Sequence, residues 1–316
     1  MTKLLAVFGA TGQQGSSVVD NVLADPELSQ QYKLRAITRD VNSDKAQHLK
    51  KKVEVVQGDV YDRASLENAL AGVHTVFIVT TPSFSPDAFT VEYNSAKLVA
   101  DVAVEKGASY IIFSTLPSIT ELSGGKYTKI VPFDAKAKAE QYIRTLPIKS
   151  AFVSLGFFME NFHAPAYPGL LPAGDGTWIL PRPCSPQSPL PLVAAVSDTG
   201  KFVGAILAEP DKYAGKTFCA AEKIYTMEEA CGIISKSTGK TVGFKQVTVE
   251  EWRKGVDFLP EPLVELFAEG FVAQAELGYW GPDSEKLVAW AKENVRGKLI
   301  DFEEYLATRP LQLPGA

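Results

Sequence analysis

The chain is poor in the side chains that build metal centres and disulfide frameworks. Among its 316 residues there are three cysteines and three histidines. The cysteines, Cys184, Cys219 and Cys231, are too widely spaced for a zinc site or a disulfide-stapled domain. So few histidines also disfavour a histidine-based metal centre. The sequence therefore predicts neither kind of site.

Long apolar runs and an excess of positive charge are also missing. No stretch approaches the roughly 20 apolar residues that a membrane-spanning helix needs. The formal net charge is −5, whereas nucleic-acid-binding surfaces are basic. The first residues run directly into an apolar strand pattern, without a secretory or transit segment. We expect a soluble protein of the cytoplasm, with the nucleus left open as a second compartment, that binds neither membranes nor nucleic acid directly.

What is present is a regular alternation of strands and helices in the first half. Hydrophobic residues make up 46% of the chain, which suffices for one large or two closely joined domains. This alternation predicts a Rossmann-like α/β fold, a doubly wound parallel sheet with right-handed crossovers. The predicted strands are 4–8, 34–38, 53–57, 75–79, 110–114 and 150–155, and the predicted helices are 16–24, 43–50, 64–71, 87–106 and 133–146.

The second half has a different texture. We place a dinucleotide-binding domain at 1–155 and a smaller, mixed but mainly helical C-terminal lobe for substrate or partner at 156–316, some of whose strands return to the main sheet. The segment 164–191 is rich in proline and glycine and contains one clear strand, 177–180. Thr226 and Thr248 each begin a Thr-x-x-Glu pattern, typical of a helix start, and further helices are predicted near 263–270 and 284–293.

The most informative segment is the glycine-rich turn after the first strand. Gly9 allows the chain to reverse, Gly12 lets a pyrophosphate approach the backbone, and Gly15 lets the next helix pack closely on the strand. That helix directs its unpaired N–H groups at the phosphates. The strand–turn–helix context favours dinucleotide binding over an ordinary tight turn. The expected contacts are Gly9, Thr11, Gly12, Gln13, Gln14 and Gly15.

The end of the second strand indicates which dinucleotide is preferred. NAD sites usually carry an acidic residue here, whereas this chain has Thr38 and Arg39. A guanidinium can bind a 2′-phosphate bidentately and stack on adenine, which favours NADP(H) over NAD(H). Asp40 follows and leaves a ribose contact open, and Arg39 as an ordinary surface arginine is the alternative.

Two further pairs follow the third and fourth strands. Gly58 and Asp59 suit an adenine contact, although the pair is also compatible with a helix cap, a role that suits Asp62 better. Thr80 and Thr81 lie where the chain passes the ribose and pyrophosphate, and a self-satisfied turn is an equal alternative.

The chemistry of a short-chain dehydrogenase requires a Tyr-x-x-x-Lys helix after the fifth strand. Here Pro132 stands four residues before Lys136, and Tyr127 is nine residues before it. The tyrosine acid is therefore absent. Lys136 remains as an acid or base with a depressed pKa, or as a residue that only binds the ribose. Lys138 is predicted to face solvent.

The pattern as a set resembles the NmrA-like branch of atypical short-chain dehydrogenases. The resemblance rests on Gly-Ala-Thr-Gly-Gln-Gln-Gly (9–15), Thr-Arg (38–39), Gly-Asp (58–59), Phe-Asp-Ala-Lys (133–136), Gly-Phe-Phe-Met-Glu-Asn (156–161) and Val-Ser-Asp-Thr-Gly (196–200). It implies a Rossmann domain that binds NADP(H), and often a lost tyrosine. Asn161 looks like the family's residue near the nicotinamide, or else a buried structural asparagine. His163 either lines the cleft or is a structural histidine.

The resemblance implies two functions of different classes. Some members are redox-sensing regulators that act through a protein partner, which the missing tyrosine favours. We therefore expect an NADP(H)-binding regulator of this kind, with an NADPH-dependent reductase that uses Lys136 as the alternative. Relatives in the isoflavone-reductase branch reduce small aromatic substrates with a lysine in a Phe-x-x-Lys setting, as in Phe133-x-x-Lys136. An apolar wall favours the reductase, although its residues equally suit the core of the lobe: Phe157, Phe158, Met159, Phe162 and Trp178.

Overall fold

The structure, a computed structural model, describes residues 2–164 and 169–313. The strands are β1 (Lys3–Phe8), β2 (Tyr32–Thr38), β3 (Glu54–Gln57), β4 (Thr75–Ile78), β5 (Tyr110–Thr115), β6 (Lys149–Leu155), β7 (Phe157–Phe158), β8 (Leu171–Pro172), β9 (Trp178–Arg182), β10 (Pro189–Val193), β11 (Thr217–Ala220), β12 (Lys223–Thr226) and β13 (Val242–Gln246).

The helices connect these strands or pack over the second half of the chain. They are α1 (Gln13–Ala24), α2 (Leu28–Gln31), α3 (Asp44–Leu49), α4 (Arg63–Ala69), α5 (Ala88–Glu105), α6 (Ile119–Leu122), α7 (Val131–Ile143), α8 (Ala195–Ala208), α9 (Pro210–Tyr213), α10 (Met227–Thr238), α11 (Val249–Gly255), α12 (Glu261–Leu277), α13 (Ser284–Asn294) and α14 (Phe302–Thr308). A 3₁₀ turn spans Met159–His163.

The main sheet is parallel throughout, in the order β11-β6-β5-β4-β1-β2-β3. Its side chains alternate between two buried layers, as those of a sheet covered on both faces do. In β1, Leu5 and Val7 join the layer beneath α1 and α8, while Ala6 and Phe8 join the layer beneath α4, α5 and α7. The predicted doubly wound fold is confirmed.

Two small sheets and several helices complete the lobe. One sheet has the order β12-β10-β7 and the other β13-β9-β8, and both mix parallel with antiparallel pairs. Both predicted capping boxes are present, at Thr226 with Glu229 and at Thr248 with Glu251. Within the described ranges, no helix combines the length and apolar character needed to cross a bilayer.

All six strands predicted in the first half are present, within one or two residues at each end. The strands β10, β11, β12 and β13 were not located from the sequence. The return of a lobe strand to the main sheet was expected, and β11, which pairs with β6, is that strand. The helix α8, which packs against α1, was not located either. In the proline-rich segment the predicted strand is β9, while residues 165–168 lie outside the described residues. The domain boundary at residue 155 stays a prediction.

Candidate functional site

The glycine turn has the geometry that its spacing predicts. Gly9 has a φ of +61°, and a Cβ there would lie 2.7 Å from Val79 Cγ1. Gly12 N donates to Gly9 O at 2.8 Å. A Cβ at Gly15 would lie 2.3 Å from Gly9 O, which is closer than a Cβ atom can approach an oxygen. The strand, turn and helix are therefore packed too tightly at these points for side chains.

The turn leaves the N-terminus of α1 open. The N-cap residue is Gly12, which is exposed and has no side chain with which to cap the helix. The first N–H groups of a helix have no partner within it, so they are available to an anion. Gln13 is exposed and Thr11 half-buried. We call the glycine turn, residues 9–15, together with the first N–H groups of α1 the cradle. Its shape and its hydrogen-bond donors suit the pyrophosphate of a dinucleotide.

Arg39 and Asp40 differ in how far they are already engaged. Arg39 is exposed and forms no hydrogen bond or ion pair with a described residue. By contrast, Asp40 Oδ1 accepts from Asn42 N at 2.8 Å and so stabilises its own turn. Thr38 Oγ1 donates to Asp40 O at 3.4 Å. The guanidinium is thus the freer of the two groups next to the cradle.

Gly58 and Asp59 lie beside the end of β2. Gly58 N donates to Thr38 O at 3.0 Å, and a Cβ at Gly58 would lie 2.6 Å from Ile37 Cγ2. Asp59 is half-buried, and its Oδ1 accepts from Tyr61 N at 3.0 Å. Asp62 caps α4, as its position predicts. The Asp59 carboxylate is therefore partly committed to its own turn.

The two threonines after β4 diverge. Thr81 is exposed, whereas Thr80 is buried and its hydroxyl donates to Glu92 Oε1 at 2.7 Å. Thr80 thus contacts a neighbouring helix rather than forming only a local turn.

Lys136 lies on α7 and is almost fully buried, with 5% of its surface exposed. Its Nζ donates to Glu92 Oε1, from a residue of α5 that is 2% exposed. Burial lowers the pKa of Lys136, and the charge and hydrogen bond of Glu92 oppose that shift. Lys138 is exposed, as predicted.

Glu92 is a residue of the site that was not predicted from the sequence. It is in register with Ala96, Val99 and Ala103, the buried stripe of α5. A carboxylate on an apolar helical stripe predicts a buried charge with a partner, and this signal was available in the sequence.

A cavity of about 360 Å³ lies at the carboxyl ends of β4, β5 and β6. Its polar lining includes Thr80, Lys136, Asn161 and Gln14, whose Oε1 is buried without a hydrogen-bond partner in the described part of the chain. The rest is mainly apolar: Phe84, Ile119, Ile130, Pro132, Phe133, Leu155, Phe157, Phe158, Leu263, Leu266, Phe267, Phe271 and Tyr279.

The predicted apolar wall is only partly correct. Phe157 and Phe158 line this cavity, but Met159 and Trp178 are buried in the core of the lobe, and Phe162 packs against that core. His163 stacks edge-on against Tyr305 and does not line the cavity. Residues of α12 form another wall of the cavity, and this position of α12 was not predicted from the sequence.

No tyrosine occupies the position of a dehydrogenase acid. Pro132 lines the cavity one turn before Lys136. Tyr127 lies before α7, and its hydroxyl donates to Glu276 Oε2 of α12 at 2.5 Å. It therefore joins α12 to the segment between α6 and α7.

A parallel sheet in this strand order, with a glycine turn after its first strand and a crevice at the strands' carboxyl ends, defines the class of dinucleotide-binding α/β folds. The model of the NmrA-like family matches residues 1–306, and the chain belongs to that family.

The similar proteins comprise sequence relatives, one of them named an oxidoreductase, and a solved transcriptional regulator of similar fold. An NmrA-like family domain-containing protein of Dictyostelium discoideum is 31% identical over 97% of both chains. The NmrA-like family domain-containing oxidoreductase cpsB of Aspergillus campestris is 29% identical, over 96% of this chain and 94% of its own. NmrA, a negative transcriptional regulator solved in complex with NADP, has a TM-score of 0.79 at 23% identity, covering 97% of this chain and 94% of its own; it was also solved with NAD.

Proposed function

We propose that the protein is an NADP(H)-dependent reductase of a small, apolar, unsaturated substrate. The observation that carries this proposal is the cavity, because it joins an aromatic-rich interior to Lys136 beside the dinucleotide cradle. Cavities of this kind suit hydrophobic ligands with a few oriented polar contacts. The oxidoreductase name of the Aspergillus campestris relative supports the same assignment.

The chain's residues would divide the work between binding and proton control. The glycine turn and the start of α1 would hold the pyrophosphate, Arg39 would bind the 2′-phosphate, and Asn161 would contact the nicotinamide end of the cofactor. When bound there, NADPH would provide the hydride for one atom of a polarised double bond. Lys136, at the cavity wall, supplies the proton for the other atom, and solvent restores that proton after release of the product.

A regulatory function is the second candidate. It is favoured by Pro132 in the position of the acid, and by the likeness in fold to NmrA, a negative transcriptional regulator. A redox sensor must bind a partner differently in its oxidised and reduced forms, since a cofactor with equal affinity for two states shifts nothing.

Calorimetric titration with NADPH, NADP⁺ and NADH tests the cofactor assignment. Arg39→Ala is expected to weaken NADPH binding about 10–100-fold, because a charge-assisted hydrogen bond contributes about 1.5–3 kcal/mol, and to leave NADH binding unchanged. Lys286→Ala makes the same change in net charge on α13 and is the control. Equal losses for both cofactors would contradict the NADP(H) preference.

Turnover is tested by following NADPH oxidation with phenanthrenequinone and cinnamaldehyde as apolar probes. The reductase proposal expects product that depends on Lys136. Absence of turnover, together with a large affinity difference between NADPH and NADP⁺, would favour the sensor instead.

A further inference from the structure

Glu92 and Lys136 form an ion pair inside the protein, behind the cavity wall. They come from two helices packed side by side, and neither side chain exposes more than 6% of its surface. Lys136 and Thr80 line the cavity, and Glu92 does not. The carboxylate is therefore placed to act on Lys136 rather than to meet a ligand.

A single oxygen organises the pair. Glu92 Oε1 accepts from Lys136 Nζ and from Thr80 Oγ1, the latter at 2.7 Å. Thr80 lies two residues after β4 and is 6% exposed, so its hydroxyl is buried beside Glu92. The same carboxylate oxygen is thus held by the Thr80 hydroxyl while it accepts a hydrogen bond from the Lys136 ammonium.

Such a pair is costly to bury. Each ion loses several kcal/mol of hydration, and well-packed apolar side chains in its place are often equally stable. Fold stability alone therefore gives little reason to place a charged pair at this point. Its position at the cavity wall indicates a role in the site.

We infer that Glu92 is the positioning residue of the site: it holds the Lys136 ammonium charged and directed along the cavity wall, with Thr80 orienting the carboxylate. The use of that charge in turnover rests on the proposed reductase function. The charge state itself does not, because it follows from the contacts among Thr80, Glu92 and Lys136.

The other charged groups on the two helices are engaged elsewhere. Asp134 accepts from Ser118 and Thr120, at the start of α6, and Asp101 binds Lys97 at 2.6 Å. The Tyr142 hydroxyl donates to Asp101 at 2.5 Å. Glu105 pairs with Arg63 on α4, and Glu140 with Arg144, while Lys138 is exposed.

Among the described residues of the other elements, the titratable side chain that lines the cavity together with Lys136 is Tyr279. Burial raises the pKa of Tyr279. Glu92 is therefore the charge that offsets the burial of Lys136. Removal of this carboxylate lowers the pKa of Lys136.

Carbamylation by cyanate measures this effect without cofactor or substrate, because cyanate reacts with the neutral amine. The reaction is followed against pH, and mass spectrometry separates Lys136 from Lys138, the exposed control two residues along α7. In Glu92→Gln we expect the Lys136 profile to move to lower pH by about one unit or more, each unit giving about tenfold more neutral amine. The profile of Lys138 should not move.

Two further variants keep the inference open to refutation if Glu92→Gln folds poorly. Thr80→Val removes only the hydroxyl and should give a smaller shift in the same direction, and Glu92→Asp keeps the charge and should stay near the wild-type profile. An unmoved Lys136 profile, or a higher plateau rate at high pH with an unmoved midpoint, would overturn the inference. A shifted profile in a protein that reduces no probe would refute only the reductase function.

Discussion

The contact between α1 and α8 predicts that Gly200→Ala is strongly destabilising. Gly200 of α8 lies against α1, where an added Cβ would be 2.2 Å from Ser17 O and 2.5 Å from Asn21 Cβ. Gly200 N also donates to Ser17 Oγ at 2.9 Å. The helices can separate only by losing this bond and part of the apolar layer beneath them.

The expected cost follows from two opposing contributions. Overpacking a buried contact costs about 1–3 kcal/mol, and this contact falls at the upper end because the nearest atom belongs to the backbone. Alanine gains about 0.5–1 kcal/mol over glycine within a helix. We therefore expect a net loss of about 2 kcal/mol in the free energy of unfolding, measured by urea titration of the cofactor-free protein.

Gly232→Ala is the matched control. Gly232 also lies within a helix, α10, but a Cβ there would meet no atom within 4 Å. We expect this variant to gain about 0.5–1 kcal/mol. A Gly200→Ala protein as stable as the wild type would refute the argument that close helix approach requires glycine at this position.

Three further outcomes follow from other contacts. Gly15→Ala, whose Cβ would lie 2.3 Å from a backbone carbonyl oxygen, should weaken NADPH binding about 5–150-fold by calorimetry, since a distortion of about 1–3 kcal/mol is expected; unchanged affinity would contradict a pyrophosphate site at this turn. Lys136→Met should lower the free energy of unfolding by about 3–5 kcal/mol, because it leaves a buried carboxylate unpaired, and adding Glu92→Gln should recover most of that loss; a double variant as unstable as the single one would show that the pair is not the cause. Arg296→Ala should cost about 1 kcal/mol at neutral pH. The hydrogen bond from Arg296 lowers the pKa of Asp25 from 3.8 to about 2, so this stabilisation is present above the unfolded value and is lost as the pH falls through about 2. Urea titrations at several acidic pH values should therefore show the wild type and the variant converging, and a constant difference would argue against the assignment.

The sequence was sufficient where local signals and the fold agree. The apolar strand, the glycine spacing and the following helix all predict the turn that the structure shows. The alternation of six strands with helices likewise predicted the doubly wound sheet, because buried parallel strands appear as short apolar runs.

Two of the missed strands have local signals that are weak or opposed. β10 contains Pro189 and Pro191, which argue against a strand, yet it pairs with β12 and β7. β11 is only four residues long, and its place beside β6 depends on contacts made far away in sequence.

The site residues divide in the same way. The role of Thr80 depends on its hydrogen bond to Glu92, which lies twelve residues further along the chain, on α5. The residues next to Thr80 in the sequence do not indicate this contact. The sequence after β6 does not show which of its aromatic residues face the cavity. The chain changes from the strand β7 to a 3₁₀ turn between Phe158 and Met159, and the side chains change direction there. The binding roles assigned to the other site residues stay predictions.

The return of β11 to the main sheet has a consequence for biosynthesis. During translation, β6 is complete at Leu155, but its edge stays unpaired until Thr217–Ala220 has been made. At about 5–20 residues per second this interval lasts seconds. An unpaired strand edge is a template for association with other chains. The nascent polypeptide is therefore exposed to misassembly along β6 between these two points, and β6 gains its second partner strand only when β11 has been made.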